Sequence, residues 1–310
     1  MTRRVVQIHP TLRCNLTCAH CYSASSPQMP AGLDPEDILR ATGSLAARGY
    51  DHASLSGGEP TIYHGLDRLC EGLRAQGYLI SLITNGLQPA RVADFAARHA
   101  PAIVSVSFDG LAPRHDLIRR RQGSFDRALQ SLSRLAYEGQ RCGAVVSFSD
   151  DGFADLPDLV AQVVAAGANH VQLHPVSELG RGAAGTLVRE PSDETMLRGM
   201  VLAQVLNAVH ASAEIVCDAL TGPMLAARPR PAIGDPVSPV VIGADGAVFP
   251  IAYGLRDSFG FGRVDGPLRE PVYDAALAAL VDRCWSAASR RAATAFYPDL
   301  ARLSHAGEMV

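Results

Sequence analysis

Short apolar runs alternate with helix-length stretches along the chain, from its start to about residue 215. The runs are continuously apolar, which is typical of strands in a parallel sheet that helices cover. We assign six of them to strands: RVVQIH, HASLS, YLISLIT, AIVSVSF, GAVVSFS and NHVQLHPV. Six βα units in series with right-handed crossovers predict an α/β fold, a partial (β/α)6 TIM-like barrel.

The stretches between these runs predict the helices. Asp34 is placed to cap the first helix, and Pro35 occupies its first turn. We expect helices near 34–48, 64–76, 89–98, 124–138, 155–166 and 193–212.

Polar and glycine-rich segments follow the predicted strands directly. In chain order they are CNLTCAHC, GGEP, TNG, DG and HP. The carboxyl ends of parallel strands meet at one edge of a sheet, where loops and helix N-termini converge on ligands. Five such segments in register therefore predict a ligand site at this edge.

The last third of the chain has a different pattern. The segment AEIVCD is a candidate for one more strand, and ARPRPAIGDPVSP predicts an irregular connection. VVIGADGAVFPI predicts two strands around the turn Asp245-Gly246, with a helix near 271–290 after them. We therefore expect a core barrel over residues 1–215 and a small α+β C-terminal extension over 216–310.

Composition narrows the classes of function. A hydrophobic content of 47% and a charged content of 19% are typical of a globular protein. The net charge of −3 gives no reason to expect a nucleic acid or membrane partner. We expect the arginines at 119–121 to form a solvated helix end. No apolar run approaches the ~20 residues of a membrane span, and the N-terminal one is too short for a signal peptide.

Cysteine usage predicts the compartment. The chain has seven cysteines, an odd number, and their spacing does not suggest a disulfide framework. A reducing cytoplasm is therefore the expected location.

Three of these cysteines, Cys14, Cys18 and Cys21, lie within the segment CNLTCAHC. One interpretation is a structural zinc site completed by His20 or His52, although the spacing is unusual for zinc. A second is an iron–sulfur cluster held by three cysteines, which leaves one iron without a protein ligand. The third is a set of unrelated core cysteines, which a polar loop disfavours. An iron without a protein ligand indicates a functional site, because a metal with a vacant coordination position can bind a substrate directly.

The order CxxxCxxC after the first strand and GGEP after the second resembles the radical S-adenosylmethionine (radical SAM) superfamily, over roughly residues 5–215. The resemblance implies that Cys14, Cys18 and Cys21 bind a [4Fe-4S] cluster whose remaining iron is chelated by S-adenosylmethionine. It also implies an enzyme that cleaves S-adenosylmethionine reductively to a 5′-deoxyadenosyl radical. A one-electron reductant such as flavodoxin or ferredoxin is then a partner.

The same resemblance implies residues that bind the co-substrate. Glu59 complements the methionine ammonium group, Gly57 and Gly58 let the backbone approach closely, and Pro60 completes the motif. A plain turn is the alternative for this segment. His20 occupies a position that lies near the adenine in the family and is usually aromatic there.

Further candidates end the later strands. Asn85 and Asp109 stand where similar enzymes direct polar side chains toward the methionine carboxylate and the ribose, with a simple Asx turn as the alternative for each. Ser107 is expected to point into the barrel. His174 stands where relatives approach the adenine, and a core histidine is the alternative.

Two segments resemble the SPASM-containing subgroup, whose members often modify ribosomal peptides: VSFDGLAPRHDLIRRRQGSFDRAL and the LGRG of Leu179 to Gly182. The C-terminal hairpin resembles part of that subgroup's extension, but Ile251 replaces the usual cysteine. Only Cys217 and Cys284 remain in this region. Two cysteines cannot supply a four-thiolate site, so we expect a degenerate extension without an auxiliary cluster.

The sequence thus predicts an enzyme that abstracts hydrogen from a natural-product precursor, either a ribosomal peptide or a small molecule. The missing auxiliary cluster favours a redox-neutral outcome such as epimerisation or rearrangement. Cys217 is the candidate hydrogen-atom donor, with a small buried hydrophobe as the alternative, and Cys284 beside Trp285 is expected to pack. The alternative function is a non-catalytic iron–sulfur or zinc protein, acting as a sensor or an electron carrier.

Overall fold

One mostly parallel sheet organises the protein. The computed structural model describes residues 3–184, 187–218, 232–250 and 258–280. Strands in these ranges are hydrogen-bonded into a single sheet. They are β1 (Val5–Ile8), β2 (His52–Leu55), β3 (Leu79–Thr84), β4 (Ile103–Phe108), β5 (Cys142–Phe148), β6 (His170–Pro175), β7 (Glu214–Cys217), β8 (Val240–Ile242), β9 (Ala247–Pro250) and β10 (Gly262–Arg263).

The strand order is β10-β9-β8-β1-β2-β3-β4-β5-β6-β7. Every pair from β8 through β1 to β7 is parallel, whereas β9 and β10 add antiparallel pairs. Strands β1 to β7 lie side by side in chain order, as a series of βα units requires. The predicted strands, including the candidate AEIVCD, are present, and the partial TIM-like barrel is confirmed.

Helices connect the parallel strands. In the described ranges they are α1 (Pro35–Ala46), α2 (Leu66–Ala75), α3 (Pro89–His99), α4 (Ala112–Arg119), α5 (Ser124–Tyr137), α6 (Leu156–Ala165), α7 (Arg181–Ala184) and α8 (Asp193–Val209). The predicted cap of α1 is confirmed, since Asp34 Oδ1 accepts a 2.8 Å hydrogen bond from the Glu36 amide. The sequence did not predict α4 and α7, because APRHDLIR and RGAA carry no clear apolar stripe.

None of the helices in the described part of the chain combines the length and the apolar character that crossing a bilayer requires.

The two faces of the sheet differ in chemistry. Successive side chains of a strand point to opposite faces. On one face, residues such as Ile8, Leu55, Leu82 and Phe108 are buried against the helices and form the main core. The alternate positions form the inner face of the partial barrel and carry many polar side chains, namely Gln7, Ser54, Ser81, Ser105, Ser107, Ser147, Gln172 and His174. The inner face of the partial barrel is therefore largely polar.

The C-terminal hairpin continues the same sheet. Asp245 and Gly246 form the predicted turn between β8 and β9, where the Gly246 amide donates to Gly243 O at 2.8 Å. Strand β8 pairs with β1, and β7 runs across the predicted boundary between residues 215 and 216. The division into two domains stays a prediction.

Part of the C-terminal prediction lies outside the described residues. Helical backbone at 275–280 agrees with the start of the helix expected near 271–290. The remainder of that helix, residues 227–231 of the proline-rich connection, and Ile251, Cys284 and Trp285 are outside the described ranges.

Candidate active site

The loop of residues 9–34 between β1 and α1, which we name the cysteine loop, folds back on itself. The Cys14 amide donates to Ser26 O at 3.1 Å. Cys14 and Cys18 are buried, and Cys21 is half-buried. A small apolar cluster, separate from the main core, consists of Cys14, Leu16 and Cys18 with Cys21 and Leu87 packed against them. The loop therefore gathers its three thiols in one place.

Burial keeps two of these thiols protonated. It raises the pKa of Cys14 to about 12, with the charge of Glu59 adding to the effect, and raises the pKa of Cys18 to about 11. A positively charged group must therefore displace the protons before these sulfurs bind as thiolates. Among the described residues, no three Cys, His, Asp or Glu side chains converge closely enough to hold one metal ion. A cluster takes its thiolates on separate irons, so three thiols from one loop fit that group.

Glu59 of the GGEP motif is almost fully buried, with 1% of its surface exposed. Its Oε1 accepts hydrogen bonds from Thr61 Oγ1 at 2.6 Å and Thr84 Oγ1 at 2.8 Å, and its Oε2 accepts one from the Asn85 amide at 2.8 Å. The carboxylate thus ties the end of β2 to the end of β3, and Pro60 starts the short 3-10 turn between them. Within the described residues, no cation pairs with Glu59. Its buried negative charge therefore suits a positively charged ligand group.

Gly57 and Gly58 bring the turn after β2 against the cysteine loop. The Gly58 amide donates to Thr11 O at 2.9 Å, and the Glu59 amide donates to Arg13 O at 3.0 Å. A Cβ at Gly58 would stand 2.3 Å from Arg13 O, and Gly57 has a φ of +100°. The sequence predicts that the glycines admit a ligand; in the structure they admit the backbone of the cysteine loop.

Asn85 follows β3 and contacts the cysteine loop. Its Oδ1 accepts a hydrogen bond from the Leu87 amide at 2.9 Å, which is the Asx turn considered as the alternative. Its Nδ2 donates to Asn15 Oδ1 at 2.7 Å and stands 3.7 Å from Cys14 Sγ. The same side chain therefore shapes the turn and orients the loop beside the first cysteine.

A buried charged cluster lies at the end of β4. Asp109, which is 2% exposed, pairs with the Arg119 guanidinium, and its Oδ1 stands 3.0 Å from His20 Nε2. Burial by itself raises the pKa of Asp109, but the charges of Arg119 and His20 outweigh burial and hold that pKa well below its usual value. The Asp109 amide donates to His115 Nδ1 at 3.2 Å. Instead of forming a simple Asx turn, the carboxylate anchors His20 of the cysteine loop.

The expectation of a solvated helix end is confirmed for Arg120 and Arg121, which are exposed after the end of α4, but it is wrong for Arg119. Its residue surface is 6% exposed, because it turns inward to Asp109. His115 lies four residues earlier on the same face of α4, and such positions are neighbours on a helix. This spacing of polar residues is the signal that could have located the cluster, but α4 itself was not predicted.

The LGRG segment covers the cysteine loop from another side. A Cβ at Gly180 would stand 2.2 Å from a carbonyl oxygen of the loop. Arg181 donates from Nε to Cys18 O at 2.9 Å and from Nη2 to Ser25 O at 2.7 Å. Its amide also donates to Cys21 O at 3.0 Å. Arg181 therefore holds two parts of the loop together, a role that the sequence did not indicate.

The inner face of the barrel carries Ser107 and His174. Ser107 lies half-buried on β4 at an inward position. His174 Nδ1 stands 2.6 Å from Asp218 Oδ2, which also accepts a hydrogen bond from Gln172 Nε2 at 2.8 Å. The His174 side chain is 49% exposed, so it is not the core histidine considered as the alternative. Sequence patterns missed Asp218, which follows β7 with no motif around it.

Cys217 lies on the helix-covered face of the sheet. Its partner in register is Leu173, a residue of the main core. A Cβ at Gly199 of α8 would stand 3.6 Å from its Sγ. This position favours the buried hydrophobe over the hydrogen-atom donor.

We expect His174 to titrate above the ordinary value of 6.5. Burial lowers its pKa, but the hydrogen bond that His174 donates to Asp218 and the charge of that carboxylate outweigh burial and raise it. The charged pair therefore stabilises the fold below pH 6.5, and this contribution is lost as the pH rises through the raised pKa of the folded state. Asp218→Asn should lower the pKa of His174 in an NMR titration of the histidine rings. The exposed Asp158→Asn is the control, and an equal pKa in both variants would contradict the assignment.

Comparison with known proteins places this site in a family. The family described as "Radical SAM superfamily" matches residues 8–163, which include the cysteine loop and the GGEP turn. The sporulation killing factor maturation protein SkfB of Bacillus subtilis is 24% identical over 189 residues, which cover 61% of this chain and 46% of SkfB. The Fe-coproporphyrin III synthase of Methanosarcina barkeri is 32% identical over 155 residues, which cover 49% of this chain and 39% of the synthase. The matched region thus spans less than half the length of either relative.

Solved structures share the fold. Streptococcus suis SuiB bound to S-adenosylmethionine superposes with a TM-score of 0.70 at 16% identity, over 90% of this chain and 67% of SuiB. SuiB bound to its precursor peptide SuiA gives a TM-score of 0.70 at 15% identity, over 90% of this chain and 66% of SuiB. Because the family match covers half of the chain and contains its cysteine motif, the chain belongs to the radical SAM superfamily of enzymes, which use a [4Fe-4S] cluster and S-adenosylmethionine.

Proposed function

We propose that this radical SAM enzyme removes a hydrogen atom from a natural-product precursor, with a ribosomal peptide as the first candidate substrate. Cys14, Cys18 and Cys21 hold the [4Fe-4S] cluster. When bound, the cluster and S-adenosylmethionine supply a 5′-deoxyadenosyl radical for that step. The observation that carries the proposal is the contact of the three-thiol loop with the GGEP turn at the carboxyl edge of a polar barrel.

The residues around the thiols bind and orient S-adenosylmethionine. The buried negative charge of Glu59 attracts the methionine ammonium group, since charged groups inside a protein require a partner. Asn85 Nδ2 is a neutral donor beside Cys14, suited to the methionine carboxylate. The residues that we assign to the co-substrate are His20, Gly57, Gly58, Glu59, Pro60, Asn85, Ser107, Asp109 and His174.

Within this set, Asp109 acts through His20. Its carboxylate is occupied by Arg119 and by His20, so it holds the imidazole toward the site rather than contacting the ribose itself. His174 presents its ring on the inner face, where Asp218 favours its charged form. Ser107 adds a hydroxyl group to the same face. The polar lining thus orients the adenosyl end, and the loops above it exclude water from a reactive intermediate.

Two kinds of relative bear on the substrate. SkfB is named as a maturation protein of a killing factor, and SuiB was solved with a precursor peptide, which supports a peptide. The relative with 32% identity is named as a synthase of Fe-coproporphyrin III, which supports a small-molecule precursor of the tetrapyrrole class as the second candidate. The peptide comes first because SkfB matches 61% of this chain, against 49% for the synthase.

A redox-neutral outcome, such as epimerisation or rearrangement, fits the remaining cysteines. Outside the cysteine loop the chain has Cys70, Cys142, Cys217 and Cys284. The three that are described lie on separate elements: α2, the start of β5 and the helix-covered face of β7. A second four-thiolate cluster needs its ligands in one place. The hydrogen-donor role of Cys217 stays a prediction that its position disfavours.

Anaerobic reconstitution tests the proposed chemistry. We expect about four irons per chain and production of 5′-deoxyadenosine that depends on a reductant. Cys14→Ala, Cys18→Ala or Cys21→Ala should lose the cluster absorption and the product. Cys70→Ala, which removes a thiol buried in α2, is the matched control and should keep both. Bound zinc without 5′-deoxyadenosine would support the non-catalytic alternative and contradict the proposal.

Isotope transfer tests the class of substrate. A deuterated precursor peptide should pass deuterium into 5′-deoxyadenosine, because the abstracted atom ends on the 5′ carbon. A deuterated tetrapyrrole should not. The reverse result would replace the peptide with the second candidate.

Arg181→Met should weaken retention of the cluster. Its guanidinium makes two hydrogen bonds to the cysteine loop, and hydrogen bonds from charged groups contribute about 1.5–3 kcal/mol each. We expect iron loss to a chelator to be at least about tenfold faster, which corresponds to about 1.4 kcal/mol or more. The exposed Arg189→Met is the control in the same connection. Equal rates of iron loss in the two variants would show that Arg181 does not secure the loop.

A further inference from the structure

A basic groove lies on the outer surface beside the cysteine loop. It is formed by the turn after β3, the start of α3 and one side of α5. Its main lining residues, which define the arginine groove, are Leu87, Gln88, Arg91, Arg127, Gln130 and Arg134. Among the described residues that line it, none is acidic. The groove is therefore a local concentration of positive charge on a chain whose net charge is −3.

Two of the three guanidinium groups keep their charge available. Arg127 is exposed in the first turn of α5, and Arg91 is exposed in the first turn of α3, where it donates to Thr61 O at 3.0 Å. Arg134 is paired with Glu138 at 2.8 Å. In the ranges that the structure describes, no carboxylate forms an ion pair with Arg91 or Arg127. The field of these two charges therefore extends into solvent.

One residue that lines the arginine groove also contacts the small apolar cluster of the cysteine loop. Leu87 lines the groove and also packs against the cluster formed by Cys14, Leu16 and Cys18. The Leu87 amide donates to Asn85 Oδ1 at 2.9 Å, and Asn85 Nδ2 stands 3.7 Å from Cys14 Sγ. Two consecutive short contacts thus lead from the groove to the first thiol.

In the described part of the chain, two other segments cover parts of the cysteine loop. The residues around Gly180 and Arg181 lie against its backbone, and the GGEP turn contacts it at Gly58. Through Leu87, the arginine groove is therefore an approach by which a large molecule can come close to Cys14 from outside.

We infer that the arginine groove docks an acidic protein that carries one electron to the cluster. The inference rests on the proposed function, because reductive cleavage of S-adenosylmethionine requires an electron from outside the chain. In this step the carrier loses one electron and the cluster gains one, with no proton or group transferred. Electron-transfer encounters use small interfaces, and charge complementarity sets their association rates. The arginine groove is a small surface, and its exposed guanidinium groups beside Leu87 supply the positive charge that an acidic carrier would complement.

Arg127→Glu tests the groove. Glutamate in the first turn of a helix is favourable, since it complements the helix dipole, so the fold should be retained. The control is Arg141→Glu, a reversal of an exposed charge just before β5 at the opposite edge of the sheet. The measurement is the initial rate of 5′-deoxyadenosine formation by the reconstituted enzyme. Electrons come either from reduced flavodoxin, an acidic protein donor, or from reduced methyl viologen, a small cationic donor.

We expect Arg127→Glu to lower the flavodoxin-driven rate at least about fivefold at low ionic strength, because the loss of charge complementarity slows association. Added salt should reduce the difference by screening. The rate with methyl viologen should be unchanged, and Arg141→Glu should match the parent with both donors.

Three results would overturn the inference. Arg127→Glu could behave like Arg141→Glu with flavodoxin, its rate could fall equally with both donors, or flavodoxin could fail to drive the parent enzyme while methyl viologen succeeds. Each of these leaves the proposed function intact. Absence of product from the parent enzyme with methyl viologen would instead remove the proposed function, and the inference with it.

Discussion

The candidate site depends on a backbone contact between two loops at the carboxyl edge of the sheet. The turn after β2 lies so close to the cysteine loop that a Cβ at Gly58 would stand 2.3 Å from Arg13 O. Hydrogen bonds from Gly58 to Thr11 and from Glu59 to Arg13 continue the pairing of β1 and β2 beyond the strands. Glycine is the residue that permits such an approach. This contact brings the carboxylate of Glu59 and the three thiols into one region. The sequence of each loop alone does not indicate that the two loops meet.

The buried ionisable groups of this region determine which ligand charges it can accept. Buried thiols with raised pKa values, such as Cys14 and Cys18, release protons only to a strongly positive group, which a bound [4Fe-4S] cluster would provide. Glu59 keeps a buried negative charge that neutral donors hold in place. Nearby, Asp109 is compensated by Arg119 and His20, as a buried carboxylate requires. The two carboxylates therefore differ in role: Glu59 suits a ligand cation, and Asp109 supports the loop through His20.

Much of the fold was predictable from the sequence, because strands β1 to β6 are short runs with apolar residues at the core-facing positions, and polar residues follow them. The cysteine motif and GGEP could also be recognised from the sequence, because the residues within each motif are adjacent in the chain. The residues that were missed act across long distances in sequence. Arg181 contacts Cys18 across 163 residues, and Asp218 contacts His174 across 44. Arg119 was misassigned because α4 has too few apolar residues to show a buried face. Such contacts depend on how the strands and loops of the partial barrel come together, which no local pattern encodes.

The proposed function requires S-adenosylmethionine to bind the iron that Cys14, Cys18 and Cys21 leave open. Electron paramagnetic resonance of the anaerobically reduced protein tests it most directly. We expect a [4Fe-4S] signal that is lost in Cys18→Ala and that changes its g-values when S-adenosylmethionine is added. A protein without a cluster, or a cluster signal that is identical with and without S-adenosylmethionine, would contradict this binding mode.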